Sequence, residues 1–68
     1  MIKFELNADY LELNKLLKTT QIAQTGGHAK ILISEGSVIR NGEVETRIRA
    51  KIVKGDKIEV EGKIIEVV

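Results

Sequence analysis

Residues 25–45 read Thr-Gly-Gly-His-Ala-Lys-Ile-Leu-Ile-Ser-Glu-Gly-Ser-Val-Ile-Arg-Asn-Gly-Glu-Val-Glu, and the apolar period changes once within them. Thr25 is a helix N-cap by type, because its hydroxyl can accept an orphan N–H of the first turn. The spacing predicts a helix from Gly26 to Glu35, closed by Gly36 at the residue after the cap. Ala29, Leu32 and Ile33 share the inward face of that helix, while Gly27, Lys30 and Ser34 share a roughly opposite one. Ile31 projects away from the core stripe, either covered by the N-terminal strand or left as a contact point. From Ser37 the period becomes two. Val38-Ile39-Arg40, Asn41-Gly42 and Glu43-Val44-Glu45 predict a β-hairpin, since Asn-Gly readily takes the two positive-φ positions of a type I′ turn.

Toward the N-terminus, Ile2, Phe4 and Leu6 alternate with Lys3 and Glu5, the period of a half-buried strand. Asp9 and Glu12 fit a capping box, which predicts a first helix beginning near Tyr10. Tyr10, Leu13, Leu16 and Leu17 would form its apolar stripe, and the β-branched pair Thr19-Thr20 would end it. Ile22 and Ala23 are expected to anchor the connection. Toward the C-terminus, Lys54-Gly55-Asp56 and Glu61-Gly62-Lys63 are turns, leading into Lys57–Val60 and into Ile64, Ile65 and Val67. Strand, helix, helix, then several short strands is the order of one α+β domain over residues 1–68.

Proline, cysteine, linkers, low-complexity tracts and internal repeats are all absent from the 68 residues. A chain this short buries only about 60% of the surface exposed when unfolded. The cysteine-free composition suits a reducing cytosol, and the alternating start is not a signal-peptide run, so a soluble cytoplasmic protein is expected. The formal net charge is only +1, but it is unevenly spread. Residues 1–29 are neutral overall, 30–54 carry +3 and 55–68 carry −2. All three arginines, Arg40, Arg47 and Arg49, lie within ten residues. Their planar forks suit phosphate.

Two features could carry chemistry. The start of the second helix, Thr25-Gly26-Gly27-His28-Ala29-Lys30, offers exposed N–H groups and a partial positive charge, with Lys30 one turn on. It lacks the Gly-Lys-Ser/Thr ending of a P-loop, and taken alone it reads more simply as a loop before a helix. In the second feature, Arg47, Arg49 and Lys51 are spaced by two, so on an extended chain they share one face, with Ile48, Ala50 and Ile52 packed inward. Arg40 across the hairpin could extend this row of cations, and Glu43 and Glu45 could orient it through ion pairs. The plain alternative is a solvated hairpin laced by such pairs. One histidine, His28, reads as a surface or capping residue, and Asp56 as a turn residue capping local N–H groups. No catalytic constellation, metal site or cofactor site can be assembled.

The run from Tyr10 to Val60 resembles the S-four RNA-binding domain, also called the alpha-L motif. The matching elements are Leu13–Lys18, Thr25–Lys30, Ile33–Val38, Asn41–Arg47 and Lys54–Ile58, and the short stand-alone bacterial branch is the nearer likeness. The resemblance implies a helix-turn-helix packed on a small antiparallel sheet, to which this chain adds an N-terminal strand. It implies non-enzymatic binding of structured RNA, including ribosomal RNA, by a monomer. By position it selects Thr25, Gly26, Gly27, Lys30, Arg40, Arg47, Arg49 and Lys51 as RNA contacts. The chain departs from many members at Gly26, where an arginine commonly follows the cap residue. Other classes remain as alternatives: a protein-interaction module, or a ubiquitin-like sulfur carrier sharing the late Gly55-Asp56-Lys57-Ile58-Glu59. The carrier needs a terminal Gly-Gly, where this chain reads Glu66-Val67-Val68.

Overall fold

The N-terminal end alternates polar and apolar residues, the C-terminal end is rich in Ile and Val, and in the computed structural model, which describes Met1–Val68, these ends pair with each other. Strand β1 (Ile2–Phe4) runs parallel to the last strand, β7 (Lys63–Val67). Between them lie β2 (Leu11–Glu12), α1 (Leu13–Thr19), α2 (Gly26–Ser34), β3 (Val38–Arg40), β4 (Glu43–Val44), β5 (Lys51–Ile52) and β6 (Lys57–Val60). The main sheet has the order β1-β7-β6-β3-β4, and β2 pairs with β5 separately. The architecture is α+β, with the two-helix unit packed on one face of the sheet. The sheet is mixed rather than wholly antiparallel, because the added N-terminal strand enters beside β7 in the same direction. Reciprocal amide bonds beyond β1, from Leu6 to the Val68 carbonyl and from Val68 to that of Phe4, are both 2.8 Å.

The core is built by both helices and the inner face of the sheet. Leu13, Leu16 and Leu17 of α1 meet Ala29, Leu32 and Ile33 of α2 over Val38, Ile58, Val60, Ile65 and Val67. Ile22 and Ala23 are buried in the connection as expected. Turn chemistry sets the boundaries. Thr25 caps α2 by accepting the His28 amide at 3.0 Å. Gly36, at φ +82°, ends it in a Schellman motif: the Ser37 amide reaches the Leu32 carbonyl and the Gly36 amide reaches that of Ile33. Asn41 and Gly42 have φ of 51° and 87°, the predicted type I′ pair, and the hairpin closes with Arg40 opposite Glu43.

Two local expectations are corrected. Helix α1 begins at Leu13 rather than near Tyr10, and Asp9 with Glu12 forms no capping box: Glu12 stands at the N-cap without a side-chain hydrogen bond. Leu11 and Glu12 pair as a strand with Ile52 and Lys51 instead. The loop after β4 then supplies what a capping side chain would. The Leu13 amide donates to the Ala50 carbonyl at 2.9 Å, and the Asn14 amide to that of Ile48 at 3.1 Å. Those same bonds bend the Arg47–Lys51 segment, which is not extended: the Ala50 amide turns back to the Arg47 carbonyl at 3.1 Å. Inward and outward sides nevertheless fall as the alternation required. Ala50 and Ile52 are buried and Ile48 is half-buried, while Arg47, Arg49 and Lys51 are exposed. Ile31, left open by periodicity, is 60% exposed.

A buried carboxylate joins the hairpin to this loop. Asp56 accepts the Val53 amide at 2.9 Å, Arg40 Nε and Nη2 at 3.2 and 2.9 Å, and Asn41 Nδ2 at 2.9 Å. Arg40 Nη2 also donates to the Lys51 carbonyl at 2.7 Å, and Arg40 Nη1 lies 3.5 Å from Glu45 Oε1. Burial pushes the Asp56 carboxyl up, but the Val53 amide, Asn41 and Arg40 outweigh it and hold it below its ordinary value. Glu45, also buried, is held to about 2 from an ordinary 4.5, chiefly by its side-chain hydrogen bonds with Arg47; burial opposes these, and Arg40 adds to them.

Asp56→Ala leaves Arg40 half-buried without its main partner, so urea unfolding should show a loss of about 2–4 kcal/mol. A loss below about 0.5 kcal/mol, typical of ordinary surface changes, would contradict this role. Depressed carboxylates stabilise above their unfolded values and lose that contribution as pH falls through the folded ones. Stability should therefore fall between about pH 4.5 and 2, and Glu45→Gln should flatten that part of the profile in urea titrations at stepped pH.

Candidate nucleic-acid interface

Thr25 holds an extended backbone, φ −137° and ψ 165°, so that its hydroxyl faces the first turn of α2. His28 completes this corner: its amide goes to Thr25, and its Nδ1 accepts the Gln24 amide at 3.3 Å. The histidine is thus a capping residue. At the start of a helix the Gly26 and Gly27 amides have no intrahelical acceptor. A Cβ built at Gly26 would meet no atom within 4 Å, and one at Gly27 only Thr25 Oγ1 at 3.8 Å. The helix start is sterically open.

The bent loop brings a cation to that start. Gly26 and Lys30 of α2, Asn14 of α1, and Ile48 and Arg49 of the loop line one open groove. Two segments that the sequence offered separately are here a single surface, joined by the Asn14 amide bond to the Ile48 carbonyl. Lys30 and Arg49 are exposed, and neither has a carboxylate within 4.0 Å. Gly27 is exposed on the same turn of α2. Lys51 stands apart from the groove, its Nζ 5.0 Å from the centre of the Tyr10 ring. Cation and aromatic face there form one exposed unit.

The remaining arginines are less free. Arg40 is turned inward, with its side chain 21% exposed and its donors spent on Asp56, Glu45 and the Lys51 carbonyl. It buttresses the loop instead of extending the cation row. Arg47 clasps Glu45, donating from Nε and Nη2 at 3.1 and 3.0 Å, and these hydrogen bonds to the carboxylate raise the guanidinium pKa above its ordinary value. Its side chain is 74% exposed, so its outer edge still faces solvent. Glu45 orients an arginine as expected, while Glu43 makes no ion pair.

Sequence reasoning missed three contributors. Asn14, which sequence reasoning does not single out, lines the groove, and its Oδ1 is buried without a hydrogen-bond partner. Ile48 was assigned to the core alone, but it is half-buried and forms the groove floor. Tyr10 was placed on the apolar stripe and is 45% exposed beside Lys51. A polar residue between Leu13 and Lys15 is an ordinary helix feature, so no periodicity could have singled Asn14 out. No helix is long and apolar enough to cross a membrane, and no group of three or more His, Cys, Asp or Glu side chains converges as a metal would require.

Known proteins resemble this chain in sequence and in fold. The chain is 44% identical over 59 residues to YbcJ of Escherichia coli, a candidate RNA-binding protein by name, covering 87% of this chain and 84% of that one. It is 35% identical over 57 residues to RlbA of Bacillus subtilis, named a probable ribosome maturation protein, covering 84% and 80%. The solution structure of E. coli YbcJ, described as an alpha-L motif involved in RNA binding, superposes with a TM-score of 0.77 at 42% identity. That match covers 100% of this chain and 87% of YbcJ. The S4 domain family model matches residues 4–68, and the chain therefore belongs to the S4 domain family.

Proposed function

We propose that this protein is a non-enzymatic module that binds structured RNA, with backbone phosphates held along the groove between the start of α2 and the Arg47–Lys51 loop. One observation carries the reading: the open helix start, Lys30 and Arg49 line the same groove, with no carboxylate beside either cation. A phosphate seated there would meet the Gly26 and Gly27 amides and two full positive charges. Arg47 and the Lys51–Tyr10 pair would continue the track, and the tyrosine face suits an unstacked base at a loop or bulge. RNA duplexes are read mainly through phosphates, 2′-hydroxyls and shape, which is what a short surface without a deep cleft can supply. The names of YbcJ and RlbA support RNA as the ligand, and that of RlbA supports a ribosomal one. On this reading the protein works in the cytoplasm, as a monomer, with Arg40 contributing through the loop it supports and not by contact.

Binding of purified ribosomal RNA should weaken with salt, with a log–log slope of roughly −3 if four phosphates are neutralised. Arg49→Ala and Lys30→Ala should each weaken binding and reduce the slope by about 1, without lowering thermal stability. A slope near zero, or unchanged binding in the double variant, would sink the assignment. Space at Gly26 allows the converse test. Gly26→Arg adds a cation that the groove can accept, so affinity at low salt should rise about three- to tenfold with a steeper slope. Unchanged affinity would place the RNA elsewhere.

A further inference from the structure

One polar side chain in the groove is bonded to nothing. Asn14 lines it with Gly26, Lys30, Ile48 and Arg49, and Asn14 Oδ1 is the one buried side-chain nitrogen or oxygen in the protein that lacks a hydrogen-bond partner. None of the side-chain hydrogen bonds engages its Nδ2 either. An asparagine in the first turn of a helix commonly turns its side chain onto nearby backbone. This one does not, and its own amide is spent on the Ile48 carbonyl at 3.1 Å. A buried acceptor left unpaired lowers stability, and an alanine would carry no such cost. Packing therefore gives no reason for an asparagine at this position.

We propose that Asn14 reads the ribose 2′-hydroxyl, and is the residue by which the protein prefers RNA to DNA. The inference rests on the phosphate track proposed above and adds a second role to the same groove. Among the lining side chains, Lys30 and Arg49 can only donate, and Gly26 and Ile48 have no polar side-chain atom. The cations and the Gly26 amide suit phosphate oxygens, which only accept. Asn14 is the one side chain there that can accept. An acceptor in that set calls for a donor on the ligand, and along the sugar–phosphate backbone the 2′-hydroxyl is that donor. A hydroxyl accepts as well, so it suits either end of the carboxamide, and no hydrogen bond resists turning that group. Ile48 adds an apolar floor beside it, half-buried and tied to Asn14 through the backbone. The C–H face of a sugar can pack on that floor while its hydroxyl meets the carboxamide. DNA would seat its phosphates on the same cations and leave Oδ1 unpaired, the situation in which a missing hydroxyl is rejected most strongly.

The test displaces labelled ribosomal RNA from the full chain with an unlabelled RNA hairpin, and with the same hairpin carrying 2′-fluoro sugars. Fluorine keeps the A-form helix and removes the donated hydrogen, so helix shape is held constant. The wild-type protein should bind the 2′-fluoro hairpin about tenfold more weakly. Asn14→Ala should bind both hairpins alike, at about the wild-type affinity for the fluorinated one. Its salt slope should be unchanged because no charge is removed, and its melting temperature should be equal or higher. Equal binding of the two hairpins by the wild-type protein overturns the proposal without requiring any variant to fold. So does a preference that Asn14→Ala retains, since a base or a phosphate is then the partner of Asn14. Failure of the groove itself is read separately, as a salt slope near zero or indifference to the Lys30 and Arg49 variants.

Discussion

The Asp56 carboxylate is the point on which the rest of the structure depends. It is buried, and a buried charge is tolerated only when its lone pairs are filled; here four N–H donors from Val53, Asn41 and Arg40 fill them. Those donors come from two parts of the chain far apart in sequence, the β3–β4 hairpin and the turn before β6. Satisfying one group therefore fixes one segment against the other. The same Arg40 reaches the Lys51 carbonyl, so the constraint passes into the loop that carries Arg49. Asn41 extends it: its amide and side chain bond the Lys57 carbonyl and amide, both at 2.8 Å, which locks the hairpin turn to β6.

This use of charge explains how a chain with a net charge of +1 can still present a cationic surface. Arg40 is neutralised internally by Asp56 and Glu45, and Arg47 is half committed to Glu45, so these two acids are absorbed into the scaffold. Lys30 and Arg49 are left without partners beside a helix start that carries its own partial positive charge. The groove is thus cationic although the total nearly cancels, because the field at a surface follows local distribution more than the sum.

Much of the fold was legible because it rests on local backbone chemistry. Thr25, Gly36 and Asn41-Gly42 each satisfy a requirement of their own few residues, and each stands where its type predicts. Alternation around Ile48, Ala50 and Ile52 likewise survived, although the segment is bent, because inward and outward sides are set by burial. The Asp9–Glu12 capping signal failed for the opposite reason. Strand pairing of Leu11 with Ile52 and carbonyls from a loop more than thirty residues away supplied the helix start first. The arginines divided in the same way: spacing made Arg40, Arg47 and Arg49 look equivalent, and only their carboxylate neighbours distinguish them.

The sequence by itself determined the α+β order of elements, the caps and turns that bound them, the inward residues, and the concentration of cations between residues 30 and 54. These are short-range properties, fixed by dihedral preference, period and composition. Tertiary structure alone decided which cations are free, that Asn14 and Ile48 join the α2 start in one groove, that β1 enters parallel to β7, and that Ile31 stays exposed. Each of these depends on which distant group arrives within hydrogen-bonding or packing distance. The start of α2 and the basic loop are two separate stretches in the chain. They become one surface because the Ile48 and Ala50 carbonyls cap the first turn of α1, which is packed against α2.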